Sequence, residues 1–204
     1  MIILREIDVI RRKLLESLKH IDHQLFNFIN HNLSNGFCDW LFPYLRIMWL
    51  WVPLYIILFW LLYKNYGLKK TIYILIGFGI TIAISDALIA NSFKHFFGRM
   101  RPCHYPDIDG LVPIIRDHCG SGKSFISAHA TNHFAIALYY ICLFKSTHRF
   151  WLLLWAGLIA FASVYIGVHY PADVAVGAVF GMMIGGGVGI GVKRFLLYLD
   201  KTNT

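Results

Sequence analysis

The sequence predicts an all-α fold, an integral membrane bundle of about five transmembrane helices preceded by an amphipathic interfacial helix. Two observations carry this. The chain of 204 residues is 57% hydrophobic and only 15% charged, whereas a soluble domain carries roughly a quarter charged residues. Its apolar residues also fall into runs close to the ~20 residues that a spanning helix requires.

Taken in order, the first element is an amphipathic helix. Ile7, Ile10, Leu14 and Leu18 recur at helical spacing, while Arg11, Arg12, Lys13, Glu16 and Lys19 occupy the other faces. That pattern suits a helix lying on a membrane surface, or equally one packed on the rest of the protein. Arg5, Glu6 and Asp8 interrupt the apolar core that a signal peptide would need. The spans follow at Ile47 to Tyr63, Thr71 to Ala90 (broken only by Asp86), Ser127 to Phe144 (carrying His129 and His133), Phe150 to Val168 and Val174 to Val192. Glycines at 177, 181, 185 and 189 in the last span allow close approach of a neighbouring helix, within the bundle or in a homodimer.

With no linker or low-complexity tract, residues 1–204 read as one domain: an interfacial segment 1–42 and a membrane core 43–204. The net charge of +8 is spread as punctuation between apolar runs, so nucleic acid is not an expected partner. With five spans, the long loop 94–127, the turn 168–173 and the N-terminus share one membrane face. Lys64, Lys69, Lys70, Lys145, Arg149, Lys193, Arg194 and Lys201 collect on the other. The positive-inside rule then makes the loop face extracytoplasmic, in a cell (inner or plasma) membrane. The basic N-terminal helix argues the opposite way. Cys103 and Cys119 share the long loop and can bridge in an oxidising compartment.

Three clusters of polar residues fall on that face. Lys94, Arg101 and Pro102 end the second span. Ser124 to His129 open the third, with Ser127 where an N-cap belongs, so that free backbone N–H groups and the positive helix end offer a phosphate site. His169 and Asp173 flank Pro171 between the last two spans. A carboxylate four residues after a histidine can fix its tautomer and leave the other ring nitrogen to attack. The first two clusters each have a structural explanation when taken alone: snorkelling cations, and a cap with a histidine that only hydrogen-bonds a neighbour. Ionisable groups at a membrane boundary are costly, and three such clusters on one face point to a functional site.

Taken together, the clusters resemble the type 2 phosphatidic acid phosphatase family, whose pattern is Lys, six residues, Arg-Pro; Pro-Ser-Gly-His; and Ser-Arg, five residues, His, three residues, Asp. Lys94, Arg101 and Pro102 match the first part; Ser127 and His129 match the second, with Ile126 and Ala128 replacing proline and glycine. In the third, His169 and Asp173 match, but Ala162 and Ser163 stand where the family has Ser-Arg. The resemblance implies metal-independent dephosphorylation of a lipid phosphate or diphosphate through a phosphohistidine, with no cofactor. His169 would be the nucleophile, Asp173 its orienting acid and His129 the general acid and base. Lys94, Arg101 and Ser127 would hold phosphate. Arg99, Arg116 and Lys123 are candidates to replace the missing arginine.

Three rival readings compete with this one. Gly122, Lys123 and Ser124 echo the end of a P-loop, but Asp117 occupies the position of its first glycine and no strand precedes it. His129 and His133 have the spacing of a metal pair, with Ala130 where a zincin carries glutamate. A non-catalytic lipid-phosphate binder or carrier, one that kept the pocket after losing the arginine, is the alternative to an enzyme.

Overall fold

A computed structural model describes residues 2–104, 119, 122–144 and 147–202, and those residues contain helices and no strand. Seven α-helices follow in order among them: α1 (Ile2–Asn27), α2 (Gly36–Leu45), α3 (Val52–Ile82), α4 (Asn91–Phe97), α5 (Ala128–Leu143), α6 (Trp151–Tyr165) and α7 (Pro171–Thr202). A π-helical stretch, Ala83–Ala90, joins α3 to α4.

Gly67 breaks α3 with φ 70°, a left-handed conformation, so residues 52–66 and 68–82 form two arms separated by a kink. The two apolar runs either side of the Lys64–Lys70 stretch are thereby accounted for. Met48–His104 and Pro171–Thr202 are long and apolar enough to cross a membrane, and Trp151–Tyr165 is a shorter apolar helix. Ile56, Trp60, Ile76, Ile80, Leu158 and Met183 point outward from the bundle. An apolar exterior of this kind is stable against lipid and not against water.

The tightest packing joins α5 and α7, which share the most extensive helix interface. A Cβ placed on Gly181 would sit 2.2 Å from the Thr131 carbonyl oxygen, and one on Gly185 would sit 2.0 Å from that of Ala135. The glycine face is therefore consumed inside the bundle. Around it Leu62, Ile74, Tyr139, Leu143, Trp155 and Ile159 form the main core.

A second cluster ties the N-terminal segment to the end of α6. Phe26 and Phe42 pack there with Val164, Tyr165, Val168 and Tyr170. Asn30 donates to the Val164 carbonyl at 3.3 Å, and the Tyr165 hydroxyl donates to Asp39 Oδ1 at 2.5 Å. Residues 5–21 of α1 are exposed on every face, whereas Asp22 and Phe26 are buried. The helix is thus held at its C-terminal end only.

Candidate active site

The three clusters converge at one end of the α5–α7 pair. α6 ends at Gly167, whose φ of 72° is the left-handed conformation that closes a helix; its N–H donates to the Val164 carbonyl at 2.9 Å. The chain then doubles back, and the Val168 and His169 N–H groups both donate to the Ser163 carbonyl, at 3.2 and 3.1 Å. Pro171 opens α7 at a position that needs no N–H. Asp173, in the first turn, accepts from the Tyr170 N–H at 2.9 Å, half of a capping box. These local rules fix His169 and Asp173 before any substrate is considered.

His169 is 2% exposed and Asp173 is fully buried. Their nearest ring-to-carboxylate approach, Nδ1 to Oδ2, is 3.8 Å, too long for a hydrogen bond. Ser124 fills the gap. Its hydroxyl donates to Asp173 Oδ2 and lies 3.4 Å from His169 Nδ1. With that hydroxyl committed to Asp173, its oxygen can accept from an Nδ1–H. The relay favours the tautomer whose Nε2 lone pair is free. Burial, opposed by the Asp173 carboxylate, pulls the His169 pKa below its ordinary 6.5.

Asp173 Oδ1 accepts from Arg99 Nη1 at 2.8 Å, and Arg99 Nη2 donates to Asp22 Oδ2 at 2.6 Å. The guanidinium also lies over the Tyr170 ring, 3.9 Å from its centroid. Asp22 Oδ1 in turn accepts from the Ala172 N–H at 2.8 Å. Arg99 is therefore engaged by two carboxylates, locking α1 to the start of α7. As a replacement for the missing arginine it is already neutralised. Replacing Arg99 by Leu leaves two buried carboxylates unpaired, and we expect a loss of about 3 kcal/mol, the cost typical of removing one partner from a buried ion pair. Thermal unfolding in detergent measures it; an unchanged midpoint would show the bridge to be dispensable.

Ser127 is the N-cap of α5, its hydroxyl accepting from the Ala130 N–H at 3.4 Å, and its own N–H donates to the Asp173 carbonyl at 3.1 Å. His129 lies one turn in. His133 Nδ1 is 2.7 Å from the His129 carbonyl oxygen, and the two rings stack 6.1 Å apart. His133 thus spends one ring nitrogen on the helix backbone. Among the described residues, the one cluster of metal-ligand dimensions is Cys103, His104 and Cys119, two of which form a disulfide.

Lys94 sits in α4, half-buried, and α4 closes at Gly98, whose N–H donates to the Lys94 carbonyl at 3.2 Å. Arg101 donates to the Cys119 carbonyl through Nη1. Its Nε is buried with no acceptor. The Lys94 charge and the His169 ring both act electrostatically on the His129 imidazole. Lys123 is exposed, with no hydrogen bond or ion pair to this cluster among the described contacts; Arg116 lies outside the described residues.

A cavity of about 720 Å³ runs between the two arms of α3 and α5. Tyr55, Phe59, Leu75 and Phe78 are among its apolar walls, and Arg46, Asp86, His129, Asn132 and His133 form its polar lining. Asn132 Nδ2 donates to Asp86 Oδ1 at 3.2 Å, and Ser85 donates to Asn132 Oδ1 at 2.7 Å, so Asp86 makes an inter-helix contact. The apolar volume, with one cation and two histidines in its lining, has the chemistry that a phosphate on a hydrophobic anchor requires.

Known proteins resemble this chain in sequence and in fold. The chain is 32% identical over 170 residues to lipid A 4'-phosphatase of Bacteroides thetaiotaomicron, covering 82% of this chain and 75% of that protein. The crystal structure of Aquifex aeolicus LpxE superposes with a TM-score of 0.57 at 28% identity, covering 79% of this chain and 90% of that one. A transmembrane PAP2 type phosphatidylglycerolphosphate phosphatase from Bacillus subtilis shares the fold, with a TM-score of 0.63 at 18% identity over 87% of each chain. Fold and site define a membrane lipid phosphatase. The PAP2 superfamily model matches residues 71–195, and the chain belongs to that superfamily.

Sequence reasoning did not find the Ser124 relay or the Asp22–Arg99–Asp173 bridge. Ser124 carried one weak signal, its place three residues before Ser127 in the second cluster. Asp22 carried none, because an acid on a charged amphipathic helix looks like solvated surface.

Proposed function

We propose that the protein hydrolyses a phosphate monoester on a glycolipid of the lipid A kind, through a phosphohistidine, without a metal, at the extracytoplasmic face of the cell membrane. The observation that carries the reading is the Nδ1-side relay through Ser124 to Asp173, which leaves His169 Nε2 as the free nucleophile. The substrate class rests on the lipid A 4'-phosphatase relative and on the polar lining beside an apolar cavity.

A phosphoryl group seated between His129, at the edge of the cavity, and His169 is attacked by His169 Nε2. The N–P bond forms as the O–P bond to the lipid breaks, and His129 gives its proton to the departing oxygen. His129 then takes a proton from water, which attacks phosphorus, and the N–P bond breaks to release inorganic phosphate. Lys94, Arg101, Ser127 and the α5 N-terminus hold the equatorial oxygens, where charge stabilisation carries most of phosphoryl transfer. Asp173, held by Arg99, offsets the charge that His169 gains.

Five spans are counted as the two arms of α3 with its π-helical extension, then α5, α6 and α7. The exposed apolar residues of α1, Ile7, Ile10, Leu14 and Leu18, rest in the membrane interface. The Cys103–Cys119 disulfide supports an oxidising compartment on the active-site side.

Phosphate release from lipid A, phosphatidic acid and a polyprenyl diphosphate, measured with chelator present, tests the reading. Chelator-resistant release with lipid A preferred is expected. Binding without turnover on every lipid would replace the enzyme by a carrier.

The pH dependence gives a separate check. Because His169 is buried with a depressed pKa, it stays neutral below its ordinary 6.5. The acid limb of kcat/KM arising from this residue should therefore lie below that value. Stability should fall over the same range, since the unfolded chain binds a proton there that the folded chain refuses. An acid limb of kcat/KM at or above pH 6.5 that shifts on Ser124→Ala, which removes the relay to this ring, would contradict this.

A further inference from the structure

The pattern's third part is missing its arginine, yet the guanidinium of Arg46, elsewhere in the chain, lines the cavity that His129 also lines. Ser163 is fully buried, and its hydroxyl donates to the Ile159 carbonyl at 3.1 Å, so that position points into packing. Against the same stretch of α6 lies α2. Phe42 packs on Tyr165 with ring centroids 4.6 Å apart and on Phe161 at 5.4 Å, and Asp39 takes the Tyr165 hydroxyl. Arg46 is the residue that ends α2. The turn after it is fixed by Trp51, whose indole N–H donates to the Leu45 carbonyl at 2.8 Å and whose ring meets Trp155 edge-on at 5.6 Å.

From that anchored position Arg46 lines the same cavity as His129, Asn132 and His133. Its guanidinium has no hydrogen-bond acceptor or carboxylate partner among the described residues, and its Nε is buried and unsatisfied. A partly buried guanidinium without an acceptor is costly, and this one shares its surroundings with a second cation, Arg101, which also has an unsatisfied Nε. A cation with an open donor beside two histidines is arranged for an anion that the protein itself does not supply.

We propose that Arg46 is a phosphate-binding residue of this active site, supplying from the end of α2 the guanidinium that Ser163 does not. Burial, and after it the Arg101 charge, lower the Arg46 pKa to about 10, so it is protonated at neutral pH. It lines the cavity together with His129, the side on which the leaving oxygen would depart, and its charge also acts on the His169 ring. Arg46 precedes residues 71–195, the stretch matched to the superfamily. The planar fork suits two oxygens of a phosphoryl group, which a lysine ammonium would grip as a point charge.

The inference rests on the phosphatase reading for its rate effects, and its binding test is independent of turnover. Inorganic phosphate and orthovanadate are titrated into the full-length, detergent-purified protein as wild type, Arg46→Ala and Arg46→Gln. Binding should weaken about tenfold or more in both variants, with unchanged unfolding midpoints for Arg46→Gln. In lipid phosphate turnover, Arg46→Ala should lose on the order of 100- to 1,000-fold in kcat, as removal of one transition-state donor does. Added guanidinium ion should restore part of it, and Arg46→Lys should fall between. A structural role at the end of α2 would give no rescue. Wild-type phosphate and vanadate binding by either variant overturns the proposal, whether or not the protein turns over lipid. An inactive wild type whose phosphate binding still depends on Arg46 would instead sink the phosphatase reading and keep the site.

Discussion

His169→Ala should release phosphate from no lipid at a rate above background, a loss of about 10⁴-fold or more, as when a covalent nucleophile is removed. The size follows from the geometry. Asp173, Ser124 and Arg99 all serve one ring nitrogen, directly or through each other, and they have no function in catalysis once that ring is gone. Ser124→Ala should cost less, because Asp173 remains 3.8 Å away and a small ring rotation would bring it into hydrogen-bond range. The decisive comparison uses radiolabelled lipid phosphate: wild type should yield an acid-labile, base-stable phosphoenzyme and His169→Ala none. Label retained by His169→Ala would move the nucleophile to another residue.

Gly185→Val should abolish the folded bundle. Its first added carbon would lie 2.0 Å from the Ala135 carbonyl oxygen and 2.7 Å from the carbonyl carbon, and backbone in an α-helix cannot step aside as a flexible side chain can. Separating α5 from α7 would also part Ser127 from Asp173, whose backbone hydrogen bond joins the segments that carry His129 and His169. A cost of about 3 kcal/mol or more is expected, the upper end of overpacking effects. Gly187→Ala is the control, since nothing lies within 4 Å of its added carbon. Size-exclusion profiles and melting in detergent read both; a monodisperse Gly185→Val protein with a wild-type midpoint would contradict the packing described.

The helical class was legible because apolar content and run length are properties of the sequence itself, and the bilayer leaves a spanning chain few alternatives to helix. The kink at Gly67 also follows locally, from a glycine amid polar residues between two apolar runs. The glycine repeat announced close helix packing, but whether the partner was inside the chain or a second copy depended on which helix lay opposite. The structure places α5 there.

The sequence by itself determined the superfamily's spaced motifs and the local geometry of two of their loops: Ser127 capping α5, and Pro171 and Asp173 starting α7. Each of these depends on neighbours within a few positions, where backbone sterics and cap hydrogen bonds act. Only the tertiary structure decided what surrounds the histidines. Arg99 pairs with an acid 77 positions away, Asp22 caps an N–H 150 positions away, and Arg46 enters from a helix outside the matched region. No periodicity encodes such pairs, because they arise from the packing of whole helices, and a buried charge can be interpreted only once its partner, or its lack of one, is known.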